Sequence, residues 1–219
     1  MNNNIKNALL DLFFPPRCAF CGKIGVHGVC PGCERGLPRA ETALREGAGF
    51  GKCAAPLKYE GIVRESILRY KFHGARSAAE GYGEILAQCV AEELSGEFDV
   101  VTWVPVSEKR RRKRSYDQAC LLARATAKVW NAEPVPMLRK RWDNPPQSGL
   151  GAPERRGNVI GIYEALNAET IRDTRILLID DIITTGSTLS ECVRVLKEAG
   201  AASVVCACLA SASTESHRA

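Results

Sequence analysis

The chain has 219 residues, of which 45% are hydrophobic and 25% charged, with a net charge of +5. That balance excludes global disorder and fits one ordinary domain with a small extra module. No stretch approaches the roughly 18–20 apolar residues that a spanning helix needs, so no membrane span is expected. The start, Met1-Asn2-Asn3-Asn4, has neither the basic opening nor the small-residue cleavage site of a secretory signal. A cytoplasmic location is expected. In a reducing compartment the ten cysteines are then thiols or metal ligands, not a disulfide framework.

Residues 1–14 carry Ile5, Leu9, Leu12 and Phe13 at helical spacing, and Pro15-Pro16 ends that pattern. Next comes Cys18-x2-Cys21-x8-Cys30-x2-Cys33, the paired spacing of a tetrahedral four-cysteine zinc knuckle. Two residues between cysteines let a tight turn aim both thiolates at one ion, with Gly22 and Gly32 easing the turns. Four thiolates close the shell, which predicts a structural Zn2+; His27, between the pairs, is an alternative ligand. Residues 1–38 are thus read as an N-terminal helix and zinc module. Residues 39–56, rich in Ala, Gly and charge, are read as a linker.

From residue 57 strands alternate with helices. Helices are expected at 61–72, 80–95 and 116–130, and after Ser187 up to Gly200. Strands are expected at Asp99–Pro105, Arg175–Asp180 and Ser203–Leu209, whose continuous Val, Ile and Leu suit burial on both faces. This alternation implies an α/β fold with a mainly parallel sheet flanked by helices over residues 57–219. The remaining cysteines are expected as small buried residues.

The most informative segment runs Arg175-Ile-Leu-Leu-Ile-Asp180-Asp181-Ile-Ile-Thr184-Thr185-Gly186-Ser187-Thr188. A buried strand delivers two acids at its carboxyl end, where open α/β sheets bind ligands. A hydroxyl-rich turn around one glycine then opens a helix, whose first amides are unpaired and carry partial positive charge. Thr184, Thr185, Ser187 and Thr188 add hydroxyl donors, and Gly186 lets the backbone approach a phosphate. Asp180 and Asp181 are placed to accept hydrogen bonds from two sugar hydroxyls. No Gly-Lys-Ser/Thr follows the glycine spacing of a P-loop. Six consecutive basic residues, Lys109, Arg110, Arg111, Arg112, Lys113 and Arg114, follow the strand ending Val104-Pro105, and suit a phosphate-bearing partner. As an isolated charge run they would be a solvated loop.

The acid-and-hydroxyl block resembles the phosphoribosyl pyrophosphate (PRPP) motif of type I phosphoribosyltransferases. The wider pattern resembles the ComF family of competence-associated, phosphoribosyltransferase-like proteins, which includes the GntX branch. The matching segments are the two Cys-x-x-Cys pairs, Tyr59-Glu-Gly61, Tyr70-Lys71-Phe72-His73-Gly74, Val104-Pro105-Val106, Arg114–Gln118, Gln147-x-x-Leu150 and Arg155-x-x-Asn158-Val159. The resemblance implies a Mg2+-dependent transfer of phosphoribose to an acceptor. Thr184–Thr188 would hold the 5-phosphate, Asp180 and Asp181 the ribose, and Pro105 and Val106 the approach to pyrophosphate. Asp180, Asp181 and Arg114 would act in catalysis, with Lys109–Lys113 and Arg155 neutralising the leaving group. It also implies an alternative: a non-catalytic protein that binds single-stranded DNA, or competence-machinery proteins, through the cradle and basic run. Thr184 stands where 6-oxopurine transferases carry an aspartate, and a threonine cannot act as a base near neutral pH. Hypoxanthine and guanine are therefore disfavoured, and the acceptor stays open. Two departures from the family's Arg-Gly-Phe-Asn-Gln are Ser115, which restricts the backbone, and Asp117, either a charge near the anion site or a helix cap.

Overall fold

The computed structural model describes residues 15–142 and 161–212. The helix expected at 1–14 and the segments around Gln147, Leu150, Arg155, Asn158 and Val159 lie outside them. At the centre, β7 (Arg175–Ile183) and β8 (Ser203–Ser211) pair in parallel, from Arg175 against Ser203 to Ile183 against Ser211. β4 (Val100–Trp103) adds in parallel on the other side of β7, with Val100 opposite Ile176. On the far side of β8 lie β2 (Gly51–Ala54) and β3 (Leu57–Lys58), both parallel to it, and β1 (Leu44–Gly47) pairs antiparallel with β2. The sheet order is β1-β2-β8-β7-β4, with β3 beside β8.

Both faces of this sheet are covered, and the side chains of β7 alternate between them as strand geometry requires. Leu177 and Ile179 join one core with Val63, Ile67, Leu86, Val90 and Leu122. Those residues come from α2 (Gly61–Phe72), α3 (Ala78–Glu93) and α5 (Gln118–Lys128). Ile176 and Leu178 join the opposite core with Leu189, Cys192 and Leu196 of α7 (Ser187–Glu198). That second core also takes in an antiparallel pair, β5 (Leu138–Lys140) and β6 (Tyr163–Ala165), and Ile171 of α6 (Ala168–Ile171). The expected helices are present to within about two residues at either end, and the strand expected at Arg175–Asp180 runs on to Ile183. Among the described residues no helix is long and apolar enough to cross a membrane.

Two readings change. The stretch 39–56, expected as a linker, supplies β1 and β2, and its Cys53 and Ala54 are fully buried. Its strands are four residues each, with Gly47 ending β1, Gly49 in the connection and Gly51 opening β2, too short for any period to show. The basic run is not a loop but a helix, α4 (Glu108–Arg114), whose first turn is capped by the Ser107 hydroxyl accepting from the Arg110 amide at 3.2 Å.

The cysteine module folds against this frame around a short helix, α1 (Pro31–Gly36). The ligand atoms of Cys18, Cys21, Cys30 and Cys33 lie within 4.8 Å of one another, with the Cys21 and Cys30 sulfurs 3.8 Å apart. A tetrahedral ion with Zn–S lengths of about 2.3 Å sets its sulfurs roughly 3.8 Å apart, so the cluster fits Zn2+ closely. His27 lies outside it. The amide of Cys30 donates to the Cys18 sulfur at 3.3 Å and that of Cys33 to the Cys30 sulfur at 3.4 Å, bonds that stabilise thiolates. Within the first pair, Phe20 is fully buried and packs on Tyr82 with ring centroids 5.3 Å apart. The module sits so close to α3 that a Cβ on Gly81 would come 2.9 Å from the Gly28 carbonyl. Purified protein is expected to carry about one zinc per chain by elemental analysis. A Cys18→Ser/Cys30→Ser variant should lose it and melt at lower temperature, since metal binding contributes on the order of 10 kcal/mol to folding such a module.

Candidate active site

The alternation along β7 carries through to its two acids. Asp181 continues the Leu177–Ile179 face and meets α2, where Lys71 Nζ lies 2.8 Å from its Oδ1. Asp180 continues the other face, toward Tyr163 and Cys192, whose ionisation its charge opposes. The Asp181 amide donates to Asp180 Oδ1 at 2.8 Å. Burial, and next the neighbouring Asp181 charge, push the Asp180 carboxyl up to about 8, although Lys71 pulls the other way. For Lys71, burial favours the neutral amine, but Asp181 outweighs it and holds the ammonium above its ordinary pKa.

Past Ile183 the chain makes the expected turn. Gly186 takes φ +76 and precedes α7, a helix of 12 residues. The hydroxyls of Thr185 and Ser187 lie 2.8 Å apart across the turn, and the Ser187 amide donates to Thr185 Oγ1 at 3.4 Å. Thr184 and Thr188 line a cleft of about 340 Å³ whose floor is Asp180 and Asp181.

The facing wall starts where β4 ends. Val104, Pro105 and Val106 line the cleft, followed by Arg110 and Arg114 of α4. These two are four residues apart, one helical turn, so the basic run divides: Lys109, Arg111, Arg112 and Lys113 are exposed away from the cleft. Arg114 Nη1 donates to Gln118 Oε1 at 2.8 Å, and its guanidinium stacks 4.7 Å from the Phe72 ring centroid. From the second core Lys140 and Tyr163 complete the lining, with Lys140 Nζ 5.2 Å from the Tyr163 ring centroid. Four cations, Lys71, Arg110, Arg114 and Lys140, thus face two carboxylates, a balance suited to a ligand with several negative charges.

Asp117 resolves toward the helix-cap reading. Its Oδ1 accepts from the Cys120 amide and its Oδ2 from the Val106 amide, both at 3.1 Å, so it ties the start of α5 to the wall. Burial pushes its carboxyl up, and the amides of Cys120 and Val106 pull it back. The Val106 amide therefore points to Asp117, not to a ligand. Ser115 adopts φ +63, the left-handed conformation in which the family's glycine carries no Cβ penalty. In the matching segment Tyr70–Gly74, Lys71 lies in the last turn of α2 and enters the cleft, and His73, which follows the helix, is exposed. Gln118, Lys140 and Tyr163 were not among the candidate site residues; each sits in a helix or strand whose side-chain direction only the packed fold reveals. Arg155 lies outside the described residues.

Residues 82–218 match the phosphoribosyl transferase domain, and residues 9–65 match the double zinc ribbon domain. The first match, over more than half of the chain, sets the class: a protein with a phosphoribosyltransferase fold and a structural zinc module. The chain belongs to the phosphoribosyl transferase domain family and, within it, to the ComF family. It is 28% identical over 197 residues to competence protein ComFC of Bacillus subtilis, covering 86% of this chain and 74% of that protein. It is 27% identical over 212 residues to the DNA utilization protein YhgH of Salmonella typhimurium, covering 88% of each. A solved structure of the allosteric regulatory enzyme of purine biosynthesis aligns with 64% of this chain and 29% of its own, at 22% identity and a TM-score of 0.43.

Two outcomes follow from the site's electrostatics. A carboxyl raised from about 4 to about 8 costs stability as pH climbs through that window, because the unfolded chain ionises first. Asp180→Asn should therefore gain on wild type in thermal melts between about pH 6 and pH 8, by at least about 1.4 kcal/mol. Asp117→Ala, which leaves the Val106 and Cys120 amides without their acceptor, should cost about 1–2 kcal/mol in urea titrations.

Proposed function

We propose that this protein binds PRPP with Mg2+ in the cleft and transfers its phosphoribosyl group to an acceptor. One observation carries the reading: paired acids on the central strand lie one short turn from the N-terminus of α7 and face four cations across a single cleft. The turn Thr184–Thr188 and the first amides of α7 take the 5-phosphate. Asp180 and Asp181 accept from the ribose hydroxyls and, as hard oxygen donors, fit a divalent cation. Bound Mg2+ supplies positive charge to the departing pyrophosphate. On this chain Arg110, Arg114 and Lys140 supply the rest, Arg114 held by Gln118 and Phe72 and Lys140 carried on the β5–β6 pair. Pro105 and Val106 shape the wall and donate no amide from Val106, which Asp117 already holds. Ionised Asp180 accepts from a hydroxyl and holds a divalent cation better than the protonated carboxyl does, so binding strengthens as pH rises through about 8.

A second reading, single-stranded DNA binding in a competence role, is favoured by the outward face of α4. Lys109, Arg111, Arg112 and Lys113 are exposed there, and Phe72, with 58% of its surface exposed, lies beside Arg114 as a surface for a base to stack on. The names of the relatives above agree with such a role.

Calorimetry separates the two. Mg2+–PRPP should bind wild type saturably, and an Asp180→Asn/Asp181→Asn variant should bind at least about tenfold more weakly. Folded, zinc-loaded wild type that binds no PRPP would refute the transferase reading. Binding to single-stranded DNA that persists in that variant and weakens steeply with salt would favour the second.

A further inference from the structure

The connection between β1 and β2 ends against the phosphate turn. Phe50, buried to 7% exposure, lies with its ring between two glycines. A Cβ on Gly47 would come 2.4 Å from Phe50 Cε1, and one on Gly186 would come 2.4 Å from the same atom. Beside it, a Cβ on Gly49 would come 2.5 Å from Ser190 Oγ. Real side chains do not make such contacts, so the hairpin packs on both ends of the first turn of α7, its Phe50 ring on the bare backbone of Gly186 and its own bare Gly49 on the Ser190 side chain. Gly186 is also the left-handed residue of that turn, and its carbonyl accepts from the Ser190 amide at 2.8 Å. The hairpin itself is firmly mounted: Cys53 of β2 pairs with Cys206 of β8, and Lys52 Nζ lies 2.7 Å from Glu97 Oε1.

We propose that Phe50 is a positioning residue for the phosphate turn: its ring holds Gly186 in the left-handed conformation that aims the first amides of α7. A segment that matches the zinc ribbon, and lies outside the span matched to the transferase domain, thereby completes the anion site. A flat ring between two glycines resists rotation of the Gly186 backbone in a way that a flexible aliphatic chain does not. Preorganised donors bind an anion without first being ordered, which is how a residue that never touches the ligand raises affinity for it.

The inference rests on the phosphoribosyl reading, and the test keeps the two apart. Ribose 5-phosphate and Mg2+–pyrophosphate are titrated separately by calorimetry into wild type, Phe50→Leu and Gly49→Ala, each checked for zinc content and a cooperative melt. Phe50→Leu keeps an apolar side chain in the slot, and Gly49→Ala pushes the hairpin off Ser190 while the ring itself is kept. Ribose 5-phosphate should bind the variants about fivefold or more weakly, with Mg2+–pyrophosphate affinity changed less than about twofold. If wild type binds neither ligand, the phosphoribosyl reading fails and this inference with it. If wild type binds ribose 5-phosphate and the folded variants bind it equally well, Phe50 does not position the turn. Equal weakening of both ligands would mean general loosening and would also overturn the assignment. Should Phe50→Leu fail to fold, the same comparison in Gly49→Ala decides.

Discussion

Two carboxylates on adjacent residues of a strand buried on both faces are the constraint around which this protein is arranged. In low dielectric neither the burial of a charge nor its repulsion by a neighbour is cheap. Strand alternation separates the problem by sending Asp180 and Asp181 to opposite faces of β7. Asp181 is met by Lys71 at the end of α2, while Asp180 keeps a raised carboxyl beside Tyr163. Lys71 relieves the acids, and the Arg114 charge is attracted to Asp181, so positive charge stands on both sides of the cleft.

The wall that holds Arg114 depends on a row of aromatic rings. Phe20, Tyr82, Tyr70 and Tyr116 follow one another with centroids 5.3, 5.3 and 6.0 Å apart. The buried hydroxyls along this row find backbone acceptors: Tyr70 donates to the Gln118 carbonyl at 2.8 Å, and Tyr116 donates to the Tyr70 carbonyl. The row begins inside the cysteine module and ends beneath the segment after α4. Removal of the module would take Phe20 from Tyr82, so the zinc site is part of the domain's packing as much as an appendage to it. Arg69 adds to the junction by donating to the Phe20 carbonyl.

The departures from the family pattern between Arg114 and Gln118 have clear structural consequences. Ser115 occupies a left-handed position at which its Cβ carries a conformational cost of about 1–2 kcal/mol. Asp117 turns its carboxylate onto two amides, so its oxygens are spent on capping α5 and tying it to the wall and not on the cleft. The backbone path is thus compatible with both substitutions.

The acid pair, the hydroxyl turn, the four-cysteine cluster and the order of strands and helices could be read from residue order, because each is a local pattern. Continuous apolar runs mark strands buried on both faces, helical spacing marks α2, α3 and α5, and fixed cysteine intervals mark a metal. Three things needed the tertiary structure. The segment 39–56 becomes sheet only because β8 offers an unpaired edge, and four-residue strands joined through glycines show no period of their own. The basic run sends Arg110 and Arg114 into the cleft because it folds as a helix, which a loop reading could not divide. Lys71, Lys140, Gln118 and Tyr163 converge from elements far apart in the chain. Local sequence determines what each element is; which of its faces meets the acids is decided by long-range packing, and no local pattern encodes that.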